Sequence, residues 1–228
     1  LTAIKAPPGQ SRDSGGRIHI GRLPLLARRV PPPRCGLLKE RAIMSMTVWQ
    51  PVLKVPVSPE RDHIRGPLDA PVTLLEYGDY ECPYCGMAHP IVAAVRQQMG
   101  EQLRFVFRHF PLTTVHPYAE PAAEAAEAAG AQKKFWPMHD TLYENQERLE
   151  PPALAAYAEA LGLDLDLFSD DLQTHAHAPK VREDFMSGVR SGVNGTPTFF
   201  INGVRHDASW DFASLLRAVQ SAAGARAA

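Results

Sequence analysis

The chain has 228 residues, 45% of them hydrophobic, and a formal net charge of −1. That length is ample for one sizeable core, and near-neutral charge argues against a nucleic-acid or acidic-membrane partner. No apolar run approaches the ~20 residues that span a bilayer.

Residues 1–45 do not read as folded protein. They hold Pro7-Pro8-Gly9, Ser14-Gly15-Gly16, Pro31-Pro32-Pro33 and many arginines. Their apolar stretch, residues 23–27, is broken by Pro24 and is shorter than a signal-peptide core of roughly 7–15 residues. The expectation is a disordered leader, or upstream sequence translated from a misassigned start before Met44 or Met46. An arginine-rich targeting segment is the competing reading. Cys35 falls in this stretch and is expected to play no part in catalysis. The folded domain is expected over residues 46–225.

Residues 49–57 are expected to give a first strand, and the apolar run 71–78 a buried central strand. Next comes Cys82-Pro83-Tyr84-Cys85, then a helix-like run to Met99 closed by Gly100. Pro90 should kink that helix, and Ile91, Val95 and Met99 share one face of it. Residues 103–110 read as a strand in which Leu103, Phe105 and Phe107 alternate with Arg104, Val106 and Arg108. Residues 113–193 read as a helical insertion. Its run 122–129 is rich in alanine, a strong helix former. Pro137 implies that the segment 135–142 starts near it, and His139 is expected in the core. Residues 198–201 form a strand, Asn202-Gly203 a hairpin turn. Phe212, Leu215, Leu216 and Val219 form the apolar face of a last helix.

Two thiols three positions apart at a strand-to-helix junction form a dithiol that can cycle to a disulfide. Positions i and i+3 are neighbours on a helix, so Cys82 is expected to be exposed at the first turn with Cys85 one turn below. Unpaired N–H groups and a partial positive charge at the helix start lower a cysteine pKa. Cys82 is then the attacking sulfur and Cys85 the resolving one. A half zinc site or two inert core thiols are the alternatives. Structural zinc wants four ligands, and no second CxxC or suitably spaced histidine pair accompanies this one.

Four segments together carry a family resemblance: 73–85 (TLLEYGDYECPYC), 107–112 (FRHFPL), 135–140 (FWPMHD) and 195–203 (GTPTFFING). Their order resembles the DsbA-like thioredoxin-fold oxidoreductases from about residue 63 to 219. The likeness extends to bacterial soluble forms and to the thioredoxin-like domain appended to some sodium/proton antiporters. The resemblance implies an α/β thioredoxin fold with an inserted helical domain. It also implies that Pro197, after Thr196, is a cis-proline facing the cysteine pair, and that the backbone of Thr196 pairs with substrate. A plain turn proline before strand 198–201 is the other reading. Glu76, six residues before Cys82, matches the family's buried acid near the resolving cysteine. It would relay a proton to or from Cys85; otherwise it points to solvent or pairs with an arginine.

One departure is Pro83-Tyr84 between the cysteines, where the namesake oxidase has Pro-His. A phenol is neutral at neutral pH, so Tyr84 should stabilise the thiolate less and make a weaker oxidant. Asp79 and Glu81 should also oppose thiolate formation. The expected function is thiol–disulfide exchange with protein thiols and disulfides, Pro83, Tyr84 and Thr196 contacting substrate. No metal or organic cofactor is needed, and glutathione or a thioredoxin-type protein could recycle the pair. A redox sensor and a glutathione-dependent transferase or isomerase are the other classes. With no signal peptide recognised, the expected compartment is cytoplasmic, with export as the alternative.

Overall fold

The computed structural model describes residues 51–227. The expected leader, Cys35 and the start of the expected strand 49–57 lie outside the described residues. Of that strand, the described part forms an isolated bridge, Val52 to Val204. Pro51 and Pro56 offer no N–H to a ladder, which accounts for the correction. The first regular strand is instead β1, His63–Arg65.

The central strand β2 spans Val72–Gly78 and is buried along its whole length. Alternating side chains feed two cores. Val72 and Leu74 join Cys82, Cys85, Ala88 and Val92 on one face. Leu75 and Tyr77 join Val106, Phe110 and Phe200 on the other. Helix α1, Pro83–Met99, follows the cysteine turn and contains Pro90 as one uninterrupted element. Strand β3, Leu103–His109, returns parallel to β2 in a register that sets Glu76 beside Phe107.

Five helices then form the insertion: α2 Ala119–Ala131, α3 Phe135–Glu144, α4 Pro151–Ala160, α5 Leu165–Gln173 and α6 Ala178–Arg190. Strand β4, Thr198–Ile201, lies antiparallel on the other side of β2, so Phe199 also flanks Glu76. Asn202 and Gly203, both with positive φ (49° and 82°), turn the chain into β5, Val204–His206. Two left-handed residues in sequence suit a two-residue hairpin. The sheet order is β1-β3-β2-β4-β5. In the closing helix α7, Phe212–Ala227, Leu215 and Val219 enter the core, but Phe212 is exposed rather than on the buried face.

The alanines of α2 let neighbouring helices approach closely; nearly every residue of its middle is buried. Glu127 on this helix accepts hydrogen bonds from His109 (2.8 Å) and His63 (2.9 Å). Burial works against its ionisation, yet these imidazoles hold the carboxyl well below the usual range. The buried Arg108 on β3 is fully used: Nε and Nη2 donate to Asp62 at 2.8 and 2.9 Å, and the rest to Tyr77 and two carbonyls. A buried charge needs such pairing to be tolerated.

Candidate active site

β2 ends at Gly78, and four residues later Cys82 caps α1. The Cys82 carbonyl accepts from the N–H groups of Cys85 (3.0 Å) and Gly86 (3.1 Å). Pro83 enters the helix where a missing N–H costs nothing. Both cysteines are free thiols. The expected exposed Cys82 is corrected: it is only 4% exposed, and Cys85 is fully buried. The physical reason is the loop before β4. Its Thr196 carbonyl lies against Cys82, accepting from the Sγ thiol at 3.4 Å. The Thr196–Pro197 bond is cis. Of the residues between the cysteines, Tyr84 is 58% exposed and Pro83 is also exposed.

The two sulfurs are driven apart electrically. Hydrogen bonding from the Cys85 thiol, then from Thr196 and the N–H groups of Cys85 and Tyr84, pushes the Cys82 pKa down to about 5 against burial. The Thr196 hydroxyl is otherwise a buried group without a partner, so it is available to turn to a thiolate. Burial first, then its bond to Cys82 and the charge of Glu76, pushes the Cys85 thiol well above its ordinary value.

Glu76 sits on the same face of β2 as Val72 and Leu74, between Phe107 and Phe199. It is 2% exposed. Burial, and secondarily the Cys82 charge, raises its pKa to about 8. Its Oε1 has no hydrogen-bond partner. It is shielded from solvent, and no arginine among the described residues pairs with it.

Asp79 and Glu81, expected to repel a thiolate, spend their carboxylates on backbone groups. Asp79 accepts from the N–H of Glu81 and of Leu112, both at 2.8 Å, and bonds His116 Nδ1 at 2.8 Å. Glu81 accepts from the N–H of Tyr118 at 2.6 Å. They tie the cysteine turn to the segment entering the insertion.

Gln146, just beyond α3, was not expected at the site. Its Nε2 donates to the carbonyls of Tyr80 (2.7 Å) and Cys82 (2.9 Å). It lies 64 residues from Cys82, and nothing in its local pattern marks it. Gln146→Ala removes two partly buried hydrogen bonds at roughly 1 kcal/mol each. Chemical denaturation should show a loss of about 1–2 kcal/mol; an unchanged midpoint would show that the clamp is idle.

His139 is buried, with Nδ1 against the Tyr80 hydroxyl at 3.0 Å. Among the described residues, two groups have ligand-like spacing: His89, His139 and Asp140, and His109, Glu127 and Asp184. Side-chain cations already hold a carboxylate in each. Arg65 grips both oxygens of Asp140, and Lys180 lies 2.7 Å from Asp184.

The arrangement can do thiol chemistry: a low-pKa sulfur, a high-pKa sulfur one turn away, and a buried acid beneath. Comparisons with known proteins agree. The family model described as Thioredoxin matches residues 58–221. The chain is 51% identical over 204 residues to the Na(+)/H(+) antiporter NhaA 1 of Salinispora arenicola, covering 88% of this chain but 30% of that relative. A thioredoxin-like oxidoreductase from Silicibacter pomeroyi superposes with a TM-score of 0.63 at 27% identity, covering 75% of this chain and 95% of that one. Alpha-DsbA1 of Wolbachia pipientis shares the fold with a TM-score of 0.67 at 19% identity, covering 77% and 96%. Among the described residues, no helix is long and apolar enough to cross a membrane. The chain belongs to the thioredoxin family, in the DsbA-like form that carries helices inserted between its third and fourth strands.

Proposed function

We propose that the protein is a thiol–disulfide oxidoreductase that exchanges disulfides with protein substrates through Cys82 and Cys85. The observation that carries this reading is the opposed pair of thiols, Cys82 pushed down to about 5 and Cys85 pushed up, beside the Thr196 carbonyl. An ionised sulfur next to a protonated one is what a two-step exchange requires.

The Cys82 thiolate attacks one sulfur of a substrate disulfide. That S–S bond breaks, a Cys82–substrate disulfide forms, and the other substrate sulfur leaves and takes a proton from solvent. In the mixed disulfide Glu76 releases its own proton to solvent; Cys85 then gives its proton to the Glu76 carboxylate and attacks the Cys82 sulfur. The Cys82–Cys85 disulfide forms, and the second substrate sulfur leaves and is protonated in turn. Two electrons pass from the dithiol to the substrate; the reverse sequence oxidises a substrate dithiol. Glu76 is timed by charge. The Cys82 thiolate helps to raise its pKa, and that charge is gone in the mixed disulfide. Glu76 then ionises more readily, at the moment Cys85 needs a base.

Thr196 offers its backbone to an extended substrate segment, with Pro197 shaping the loop and exposed Pro83 and Tyr84 beside it. The chemistry needs no metal or organic cofactor, since the redox centre is in the protein. Glutathione or a thioredoxin-type protein would recycle the pair. Direction follows from the potential gap to the compartment, about 30 mV per 1.4 kcal/mol.

A second reading, a redox-sensing module beside a transporter, has one observation in its favour: similarity to a segment of a longer protein named as an antiporter. Insulin reduction driven by dithiothreitol separates the two. The enzyme should complete many cycles per molecule. One slow oxidation without turnover would favour the sensor and contradict the enzyme.

A further inference from the structure

We propose that Tyr143, delivered by the helical insertion, is a positioning residue for proton transfer between Cys85 and Glu76. The inference rests on the exchange reading above and adds a group to its second step. Its basis is a pair of orphaned polar atoms. Among the described residues, the Tyr143 hydroxyl and Glu76 Oε1 are both buried and both without a hydrogen-bond partner. The residues are 6% and 2% exposed. Leaving such groups unpaired costs free energy, so two in one place call for a functional account.

Geometry puts them together. A Cβ placed on Gly78 would meet the Tyr143 hydroxyl at 2.7 Å. Gly78 and Glu76 are two positions apart on β2 and so face the same way, roughly 7 Å apart along the strand. The phenol therefore reaches over the sheet face that carries the Glu76 carboxyl. A glycine at position 78 is what leaves it room. The ring is fixed by Tyr80, His139 and His89, with centroids at 4.9, 5.0 and 5.1 Å. Burial, then the charges of Cys85 and Glu76, pushes its pKa well above the usual phenol value. The hydroxyl thus stays protonated. Its O–H dipole can turn towards the Glu76 carboxylate when Glu76 is ionised and away from the carboxylic acid when it is not. The proton that leaves Cys85 is kept on Glu76, and Tyr143 is unchanged at the end of the step.

Tyr143→Phe removes the oxygen and keeps the ring. Reduced protein mixed with excess 5,5′-dithiobis(2-nitrobenzoate) releases one aryl thiolate when Cys82 attacks and a second when Cys85 resolves. At neutral pH the variant should slow the second release about tenfold, short of the roughly 100-fold at which general acid–base groups begin. The first release should be unchanged. Glu76→Gln should slow the same phase, and the double variant should be no slower than the slower single one. An unchanged second phase in Tyr143→Phe would overturn the proposal, as would equal slowing of both phases or full multiplication of the two single effects. A wild-type protein that releases no second thiolate by resolution would instead overturn the exchange reading itself.

Discussion

Replacing Cys85 by Ser is expected to arrest exchange after its first step and leave substrate proteins covalently held on Cys82. The Cys82 thiolate does not depend on Cys85 alone. The N–H groups of Tyr84 and Cys85 and the Thr196 side chain also lower its pKa, and a serine hydroxyl at position 85 can still donate to it. Attack should therefore survive. Resolution needs a second sulfur, so it should not. Cys82→Ser is the opposite case: with no thiolate at the helix start, turnover of insulin or a model disulfide should fall to background. Cys85 cannot substitute, because it is fully buried and burial pushes its thiol well above the ordinary value. Non-reducing gels of the two variants, mixed with a disulfide-bonded client, read both outcomes. Mixed disulfides on Cys82→Ser and none on Cys85→Ser would reverse the assignment of attacking and resolving sulfurs.

Glu76→Gln should make the reduced protein more stable at neutral pH while slowing resolution. In the fold the Glu76 pKa is about 8; in an unfolded chain a glutamate titrates near ~4.3. Below the unfolded value the acid is protonated in both states and no stability is lost. As pH rises from there towards 8, the unfolded chain releases its proton and the folded one does not. Stability must therefore fall across that window and level off above it. One pKa unit is worth about 1.36 kcal/mol, so the loss at pH 7 is about 4 kcal/mol. A glutamine does not titrate. The variant should gain about that much at pH 7, or roughly 8–16 °C in Tm for a domain of this size, and nothing near pH 4. Denaturation across pH 4–8 checks it. Parallel curves for the two proteins would show that Glu76 is not held protonated by burial. Stability surrendered for activity is a common trade at a working site.

Much of the scaffold was legible because its signals are local. The apolar run 71–78, the helix ending at Gly100 and the Asn202-Gly203 turn each depend on a few neighbouring residues, and the strand, helix and hairpin lie there. The thiol spacing and its place at a helix start are equally local. The burial of Cys82 was not, because the covering Thr196 loop lies 114 residues away. Gln146 and Tyr143 reach the site only because the insertion folds back over α1. The described part of the expected strand, residues 51–57, shows the converse failure: Pro51 and Pro56 deny it a ladder. Arg108 occupies an alternation that reads as solvent-facing, yet it is buried because Asp62, 46 residues earlier, neutralises it. Asp79 was read for its charge, while its geometry makes it an acceptor for the segment from Leu112 to His116.

In the proposed exchange Cys82, and not Cys85, is the ionised sulfur of the pair. Alkylation of the reduced protein by iodoacetamide across pH 4–9, with each labelled peptide identified by mass spectrometry, tests it most directly. Label is expected on Cys82 alone, rising with a midpoint near the pKa of about 5 and flat above pH 7, with Cys85 unlabelled throughout. Label first on Cys85, or none on Cys82 until the pH nears the ordinary thiol pKa of about 8.5, would contradict it.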